Sequence, residues 1–299
     1  MATVLVANVV HSRRPFPSGR PVVALRVVQV FGKDNAYLDV PRIGVAAESI
    51  ARGVLGTVPV EDDGSAYFLM PAGVEVYFQA LDRRGRAIQT MRSGTWAHDG
   101  EVLSCAGCHE PRHSTPAIRA TPMAARRPPS RLKPGPVGSY PLTFPRLVQP
   151  VLDRHCVRCH AGGPNRPDLR GELFEAASRP GALVSEPEWL AGVRHARHGW
   201  SRAYVALAPF AWSRAGGNGS IFQQEQYSIP GQVGADASHL ARMLSNGHHG
   251  VKLSDDDWER IVTWLDCNSV FYGAYHEPEA QARGDLVPPR LGWRPEHER

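Results

Sequence analysis

The sequence predicts a multidomain chain in which an N-terminal all-β, sandwich-like domain precedes an all-α domain. Three observations carry this. Short β-branched and aromatic runs recur between Gly-, Pro- and Asp-rich turns up to about residue 104. A stretch dense in proline and arginine follows over 114–139. From Tyr140 onward the apolar spacing becomes that of helices. The expected units are therefore 1–113 (β-rich), 114–139 (linker), 140–276 (helical) and 277–299 (a loose, Pro- and charge-rich tail).

The β elements come first. Val4-Leu5-Val6 and Val9-Val10 read as an entering strand, since Met1 to Val10 lacks the basic start and small-residue cleavage site of a secretory signal. Val22 to Phe31 is a β-branched run suited to a buried strand. Gly53 to Val60 is next, reversed by Asp62-Asp63-Gly64-Ser65 into Tyr67 to Met70. Pro71-Ala72-Gly73 turns the chain into Val74 to Leu81, and Asp82 to Gly85 turns it again into Arg86 to Met91. Tyr67, Phe68, Tyr77 and Phe78 read as core or rim packing.

Two short stretches carry the chemistry: Cys105-Ala106-Gly107-Cys108-His109 and Cys156-Val157-Arg158-Cys159-His160. Each is Cys-x-x-Cys-His, the attachment signature of c-type haem. Two thiols one turn apart can add to the two vinyl groups of a porphyrin, and the adjoining imidazole then reaches the iron. Together the two runs use four of the five cysteines. The expected cofactor is thus two covalently bound haems c, held by Cys105, Cys108, Cys156 and Cys159, with His109 and His160 on the irons. Zinc is the competing reading, because its sites also pair Cys-x-x-Cys with His. The 47 residues between Cys108 and Cys156 exceed the roughly 15–20 of a compact four-cysteine site. A thioredoxin-like redox pair is weaker still, since neither motif sits in an evident βαβ unit.

Further ligands are open. His113 lies four residues after His109, one helical turn away if that piece is helical, and can be a second ligand, a proton donor or a loop histidine. Met91 and His98 are secondary candidates. In 114–139 six prolines alternate with cationic residues, a composition that cannot bury enough apolar surface to fold alone and reads as extended, with some arginines available to haem propionates. Phe144, Leu147, Val148, Val151 and Leu152 then repeat with helical spacing directly into the second motif, as a small cytochrome c domain begins. Helices are also expected near 186–196, 201–208 and 236–244, with a Gly-rich loop at 216–219. Ser254 and Asp257 form a capping pair for a last helix with the stripe Trp258, Ile261, Val262, Leu265. The distal ligand of the second haem is expected at His248, with His249 next. His195, His198, His239 and Met243 are alternatives, and the position can instead be filled by methionine or left open. His155 abuts Cys156 and is badly placed for the opposite face, and Cys267 reads as a buried thiol.

Composition excludes several classes. No run of 18 or more apolar residues exists, so no membrane-spanning helix is expected. The net charge of +5 would be largely offset by haem propionates, so it does not signal nucleic-acid binding. Only three lysines occur, Lys33, Lys133 and Lys252, which argues against a lysine-ringed docking face. Haem c attachment takes place outside the cytoplasm, so a periplasmic or other extracytoplasmic location is expected.

The wording of the chain resembles the hydrazine synthase alpha-subunit family over roughly residues 3–276. The resemblance rests on Gly56-Thr-Val-Pro-Val-Glu-Asp-Asp-Gly-Ser-Ala-Tyr-Phe, Pro71-Ala-Gly-Val-Glu-Val-Tyr-Phe-Gln-Ala-Leu-Asp, Met91-Arg-Ser and Ser104-Cys-Ala-Gly-Cys-His-Glu. Tyr227-Ser-Ile-Pro-Gly, Gly247-His-His-Gly-Val-Lys-Leu, Trp264-Leu-Asp-Cys-Asn and Phe271-Tyr-Gly extend it. It implies an exported multihaem protein in which Cys105, Cys108 and His109 hold a substrate-accessible haem. Cys156, Cys159 and His160 would then hold a six-coordinate, two-histidine relay haem. Family members carry a β-propeller before this region, so the resemblance implies a C-terminal portion or a split gene, with a propeller or other subunits as partners. The family's tyrosine four residues after the first motif's histidine is replaced here by His113. The expected activity is electron transfer between the haems and a redox partner protein. The alternatives are haem chemistry on a small nitrogen or oxygen species at the first motif, and a zinc-stabilised interaction protein.

Overall fold

The computed structural model describes residues 1–35, 41–45, 49–108, 120–163, 166–173, 199–211 and 228–290. Its strands are β1 (Ala2–Val6), β2 (Ala24–Val30), β3 (Arg52–Pro59), β4 (Ala66–Met70), β5 (Val76–Leu81), β6 (Ala87–Thr90) and β7 (Val102–Cys105). The five β-branched and aromatic runs read after Val10 thus become strands β2 to β6 within two residues of their expected ends. A four-stranded antiparallel sheet has the order β3-β2-β5-β6, and a three-stranded sheet the order β4-β1-β7.

The two sheets differ in pattern for a physical reason. β1 and β4 alternate, burying Ala2, Val4, Val6 and Ala66, Phe68, Met70, as strands do when one face is covered. β5 is buried at all six positions, as a strand must be when both faces are covered. Phe68 of β4 meets Phe78 of β5 edge to face at 5.7 Å between ring centroids, which joins the sheets into a sandwich-like pair. β2 and β3 change register between Val27 and Val28, beside Gly56. Gly56 has φ 148°, and a Cβ there would strike the Lys133 backbone.

The described helices are α1 (Phe144–Leu147), α2 (Gln149–His155), α3 (Arg202–Ala211), α4 (Gly234–Ala237), α5 (His239–Ser245), α6 (Asp255–Asp266) and α7 (Pro278–Ala282). The single helix expected through Phe144 to Leu152 is interrupted at Val148. Pro150 has no N–H, so the carbonyl four residues earlier loses its helical partner. α6 begins as expected, with the Ser254 side chain accepting from the Asp257 N–H. The helices near 186–196 and the loop at 216–219 lie outside the described residues.

α6 joins helices to sheet. Trp264 and Phe144 sit edge to face at 5.3 Å, and Tyr204 and Phe271 complete a buried aromatic cluster. At the end of α6 the Asp266 carboxylate accepts from Arg26 Nη1 of β2 at 3.0 Å and from the Ala87 N–H of β6 at 2.9 Å. Buried apolar residues of strands and helices form one contiguous core.

Two segments expected to be loose are held. In 120–139, a 3-10 turn over Met123–Arg126 buries Ala124, Lys133 and Thr57 exchange backbone hydrogen bonds, and Leu69 N–H donates to the Ser130 carbonyl at 2.9 Å. Edge-strand hydrogen bonding supplies what its composition lacks, because β3 and β4 offer unpaired backbone groups to an extended chain. In 277–290, Gln281 is fully buried and bonds the backbone at Gly273, Ala274 and His276.

Candidate functional site

The second Cys-x-x-Cys-His forms a tight turn at the end of α2. Cys156 N–H donates to the Leu152 carbonyl at 2.8 Å, and His160 N–H donates to the Cys156 carbonyl at 3.0 Å. Cys156 is half-buried and Cys159 exposed. Burial, with Cys159 beside it, pushes the Cys156 thiol up to about 11. That is the reverse of a thioredoxin-type pair, whose attacking thiol is held as thiolate near neutral pH.

The turn is strapped on two sides. Gln149 of α2 donates to the Leu169 carbonyl at 3.0 Å, and Leu169 N–H donates to the His160 carbonyl at 2.9 Å. This brings the Pro167 carbonyl oxygen within 3.2 Å of His160 Nδ1. A carbonyl only accepts, so Nδ1 carries the proton and Nε2 keeps its lone pair for a metal. On the other side Asp257, in the first turn of α6, pairs with Arg154 and lies 2.8 Å from His155 Nε2. Burial alone would raise the Asp257 carboxyl, but hydrogen bonds from Arg154 and His155 outweigh it and hold the group below the ordinary range. His155 thus braces the helix, in keeping with its poor placement as a ligand.

Opposite His160 stands His248. α5 ends at Asn246, and Gly247, with φ 84°, takes the left-handed conformation that turns the chain past a helix end. This brings His248 over His160, with ring centroids 6.0 Å apart and planes inclined by 28°. Burial, then the neighbouring His249 and His160, lowers the His248 pKa, which keeps its imidazole neutral. His249 is exposed, at φ 46°, with its ring edge-on to His248 at 4.6 Å. A cavity of about 540 Å³ adjoins them, lined by His239, Arg242, Met243, Asn246, His248 and His249. His239 is exposed and packs on Phe210 at 5.8 Å, while His195 and His198 lie outside the described residues.

The residues fit a haem c. His160 and His248 stand with ring centroids 6.0 Å apart, close enough for one bound group to meet both rings. The donor set is two imidazoles beside two thiols, which is the set such a group uses.

The first motif sits differently. Cys105 is the last residue of β7 and lies opposite Val6 of β1 in a parallel pairing. Ala7 N–H donates to the Cys105 carbonyl at 2.8 Å, and Cys108 N–H to the His11 carbonyl at 2.9 Å. Gly107 presses on the backbone at His11 and Asn8, so closely that no Cβ fits. Cys105 and Cys108 are half-buried against the core. His109 and His113 lie outside the described residues. Met91 has its sulfur accepting from the Phe78 N–H at 3.3 Å, and His98 is exposed against Trp96, with ring centroids 4.7 Å apart. Among the described residues no three His, Cys, Asp or Glu side chains converge as a metal ion alone would need.

Residues 23–110 match the family model described as the hydrazine synthase alpha subunit middle domain. Over this segment the chain is similar to the hydrazine synthase alpha-subunit family. The hydrazine synthase alpha-like segment contains β2 to β7 and closes just past the first Cys-x-x-Cys-His. Among solved structures, hydrazine synthase from Kuenenia stuttgartiensis is similar at 17% identity and a TM-score of 0.56. That likeness covers 98% of this chain and shows its fold. The chain spans 44% of the length of that solved chain. No curated protein sequence matches.

Several contributors were not singled out from the sequence of this hydrazine synthase alpha-like chain. Pro167, which orients His160, acts through its carbonyl, and a backbone group leaves no side-chain signal. Asp257 was read only as part of a helix cap, yet it faces α2 from 102 residues away. His11, whose carbonyl holds the first motif, belongs to a loop with no distinguishing pattern.

Proposed function

We propose that the chain is a di-haem c-type cytochrome that passes electrons between its haems and an extracytoplasmic redox partner. His160 and His248 would hold the iron of the second haem. Its helical half is read as a cytochrome c-like domain. The observation that carries this is the facing pair itself: a Cys-x-x-Cys-His imidazole whose Nδ1 is tied to Pro167, 6.0 Å in ring centroid from a second neutral imidazole. Haem c supplies a one-electron Fe(III)/Fe(II) couple when bound. Cys156 and Cys159 would anchor it and His160 and His248 would supply nitrogen, while Asp257 and Leu169 hold the turn in place. At the first motif Cys105 and Cys108 anchor and His109 ligates.

A second reading is favoured by the family match, which spans the first motif. In it Cys105, Cys108 and His109 would hold a haem whose chemistry is applied to a small nitrogen or oxygen species, Cys156, Cys159 and His160 would hold one that supplies electrons, and His113 would move a proton. Partners in either reading are other subunits of a multihaem assembly, a β-propeller protein among them.

The test is export from a host with cytochrome c maturation machinery, followed by reduced spectra with and without carbon monoxide. Two low-spin haems indifferent to carbon monoxide are expected. One high-spin haem that binds carbon monoxide would select the second reading. A purified protein without covalent haem would sink both and revive a zinc-stabilised interaction protein.

A further inference from the structure

The exposed rim of the second motif carries more positive charge than its neighbours balance. Arg158 stands between the two cysteines and is exposed, as is Cys159. Arg166, also exposed, donates from Nη1 to the Cys159 carbonyl at 3.2 Å, which keeps it beside the motif. Lys252 is exposed just past Val251, whose N–H donates to the His248 carbonyl at 2.9 Å, so it belongs to the His248 turn. Arg242, exposed in the last turn of α5, lines one cavity with His248 and His249. Among the described residues no carboxylate lies within ion-pair distance of Arg158, Arg166, Arg242 or Lys252. Neighbouring carboxylates are matched: Asp257 by Arg154, Asp168 by Arg170 and Asp256 by Arg260. Asp255 lies in the first turn of α6, where the helix N-terminus favours it. That leaves the exposed Asp153 and Glu259 against the four cations. A helix C-terminus accounts for Arg242, but Arg158, Arg166 and Lys252 lie outside the helices. Ala161, Gly162 and Gly163 follow the motif directly, exposed and without bulk.

We propose that this face docks an acidic one-electron redox protein, which Arg158, Arg166, Arg242 and Lys252 steer onto the exposed edge of the second motif. The proposal rests on the haem reading above and adds the partner's chemistry and the place where it binds. In the exchange the partner loses one electron as Fe(III) becomes Fe(II), and no atom is transferred. Cations left unpaired at a surface raise the rate of encounter with a partner of opposite charge by about 10- to 1,000-fold, an effect that falls with salt. The small residues beside Cys159 let the partner's surface come close without displacing side chains.

The experiment is stopped-flow reduction of the haem-loaded full chain by reduced flavodoxin, an acidic one-electron donor, at low and high salt. The double variant Arg158→Gln with Lys252→Gln should lower the second-order rate about tenfold at low ionic strength. The difference should vanish near 1 M salt, where the Debye length is about 3 Å. Arg158→Lys, which keeps the charge, should react as fast as wild type. Absorption spectra and midpoint potentials should stay those of wild type, which separates docking from damage to the site. Arg242→Gln with Lys252→Gln decides the matter if the Arg158 variant does not load haem. Lys133 and Arg283 are exposed on the chain beside β3 and at the end of α7, so Lys133→Gln with Arg283→Gln makes the same change in net charge elsewhere. An unchanged rate in the rim variants, a loss that persists at 1 M salt, or an equal loss in the Lys133 and Arg283 pair would overturn the proposal. Wild-type protein lacking the second covalent haem has a different signature: it overturns the haem reading and this proposal with it.

Discussion

Truncating Asp266 tests whether the sheet and the helices stand or fall together. Its carboxylate is fully buried and accepts three hydrogen bonds: from Arg26 Nη1 at 3.0 Å, from Ala87 N–H at 2.9 Å and from Ala235 N–H at 2.9 Å. Asp266→Ala leaves the Arg26 guanidinium, 2% exposed, with only the neutral oxygens of Gln79 and Gly85. Removing one partner of a buried ion pair costs about 3–5 kcal/mol, because the other charge stays desolvated. At roughly 2–4 °C per kcal/mol for a chain near this size, the expected fall in Tm is about 6–20 °C. Urea unfolding followed by circular dichroism reads the free energy, and calorimetry reads Tm. The double variant Arg26→Met with Asp266→Leu should recover at least half of the loss, since it strands no charge. A loss below about 1 kcal/mol in Asp266→Ala would refute the reasoning, since it would mean that water or rearrangement resolvates Arg26.

Three other outcomes follow from named contacts. Burial would raise the Asp82 carboxyl, but hydrogen bonds from Arg20 and Arg86 hold it below its ordinary range. Its stabilisation is therefore present above the unfolded value of about 3.9 and is lost as pH falls through the depressed folded value. Asp82→Asn should lower Tm at pH 7 by an amount that shrinks as the pH falls through the depressed folded value, and a drop independent of pH would contradict the linkage. Gly107→Ala should force the loop at Asn8 and His11 away from the first motif at a cost of about 1–3 kcal/mol. Mass spectrometry should then show reduced haem at Cys105 and Cys108 with full occupancy at Cys156 and Cys159. His248→Ala should convert the second haem to a high-spin form that binds carbon monoxide, whereas His249→Ala should leave it low-spin. The opposite pattern would transfer the ligand role to His249.

The strands were legible because their signals are local. Val22 to Phe31 and Val74 to Leu81 are β-branched runs between turn residues, and such runs form strands whatever covers them. At the second site the motif singled out His160 and the Gly247 turn singled out His248, and their rings lie 6.0 Å apart. What hid was everything made by distant pairing. The backbone contacts that hold 120–139 on β3 and β4 use carbonyls and N–H groups, which every residue has. Prolines and arginines there gave the composition of a free linker, and composition cannot report an edge that accepts a neighbour. The break at Val148 was hidden by good apolar spacing, although Pro150 carried its cause.

The parallel pairing of β7 on β1 also has a consequence in time. Thr3 lies opposite Val102, so this contact closes a loop of about a hundred residues, whereas β5 reaches β6 across one short turn. Long loop closures carry more entropy and form later than hairpins. The four-stranded sheet can therefore assemble while the segment that carries Cys105 and Cys108 is still unpaired. Closure of β7 onto β1 then fixes the backbone there, so the first motif takes its final geometry after the four-stranded sheet has formed.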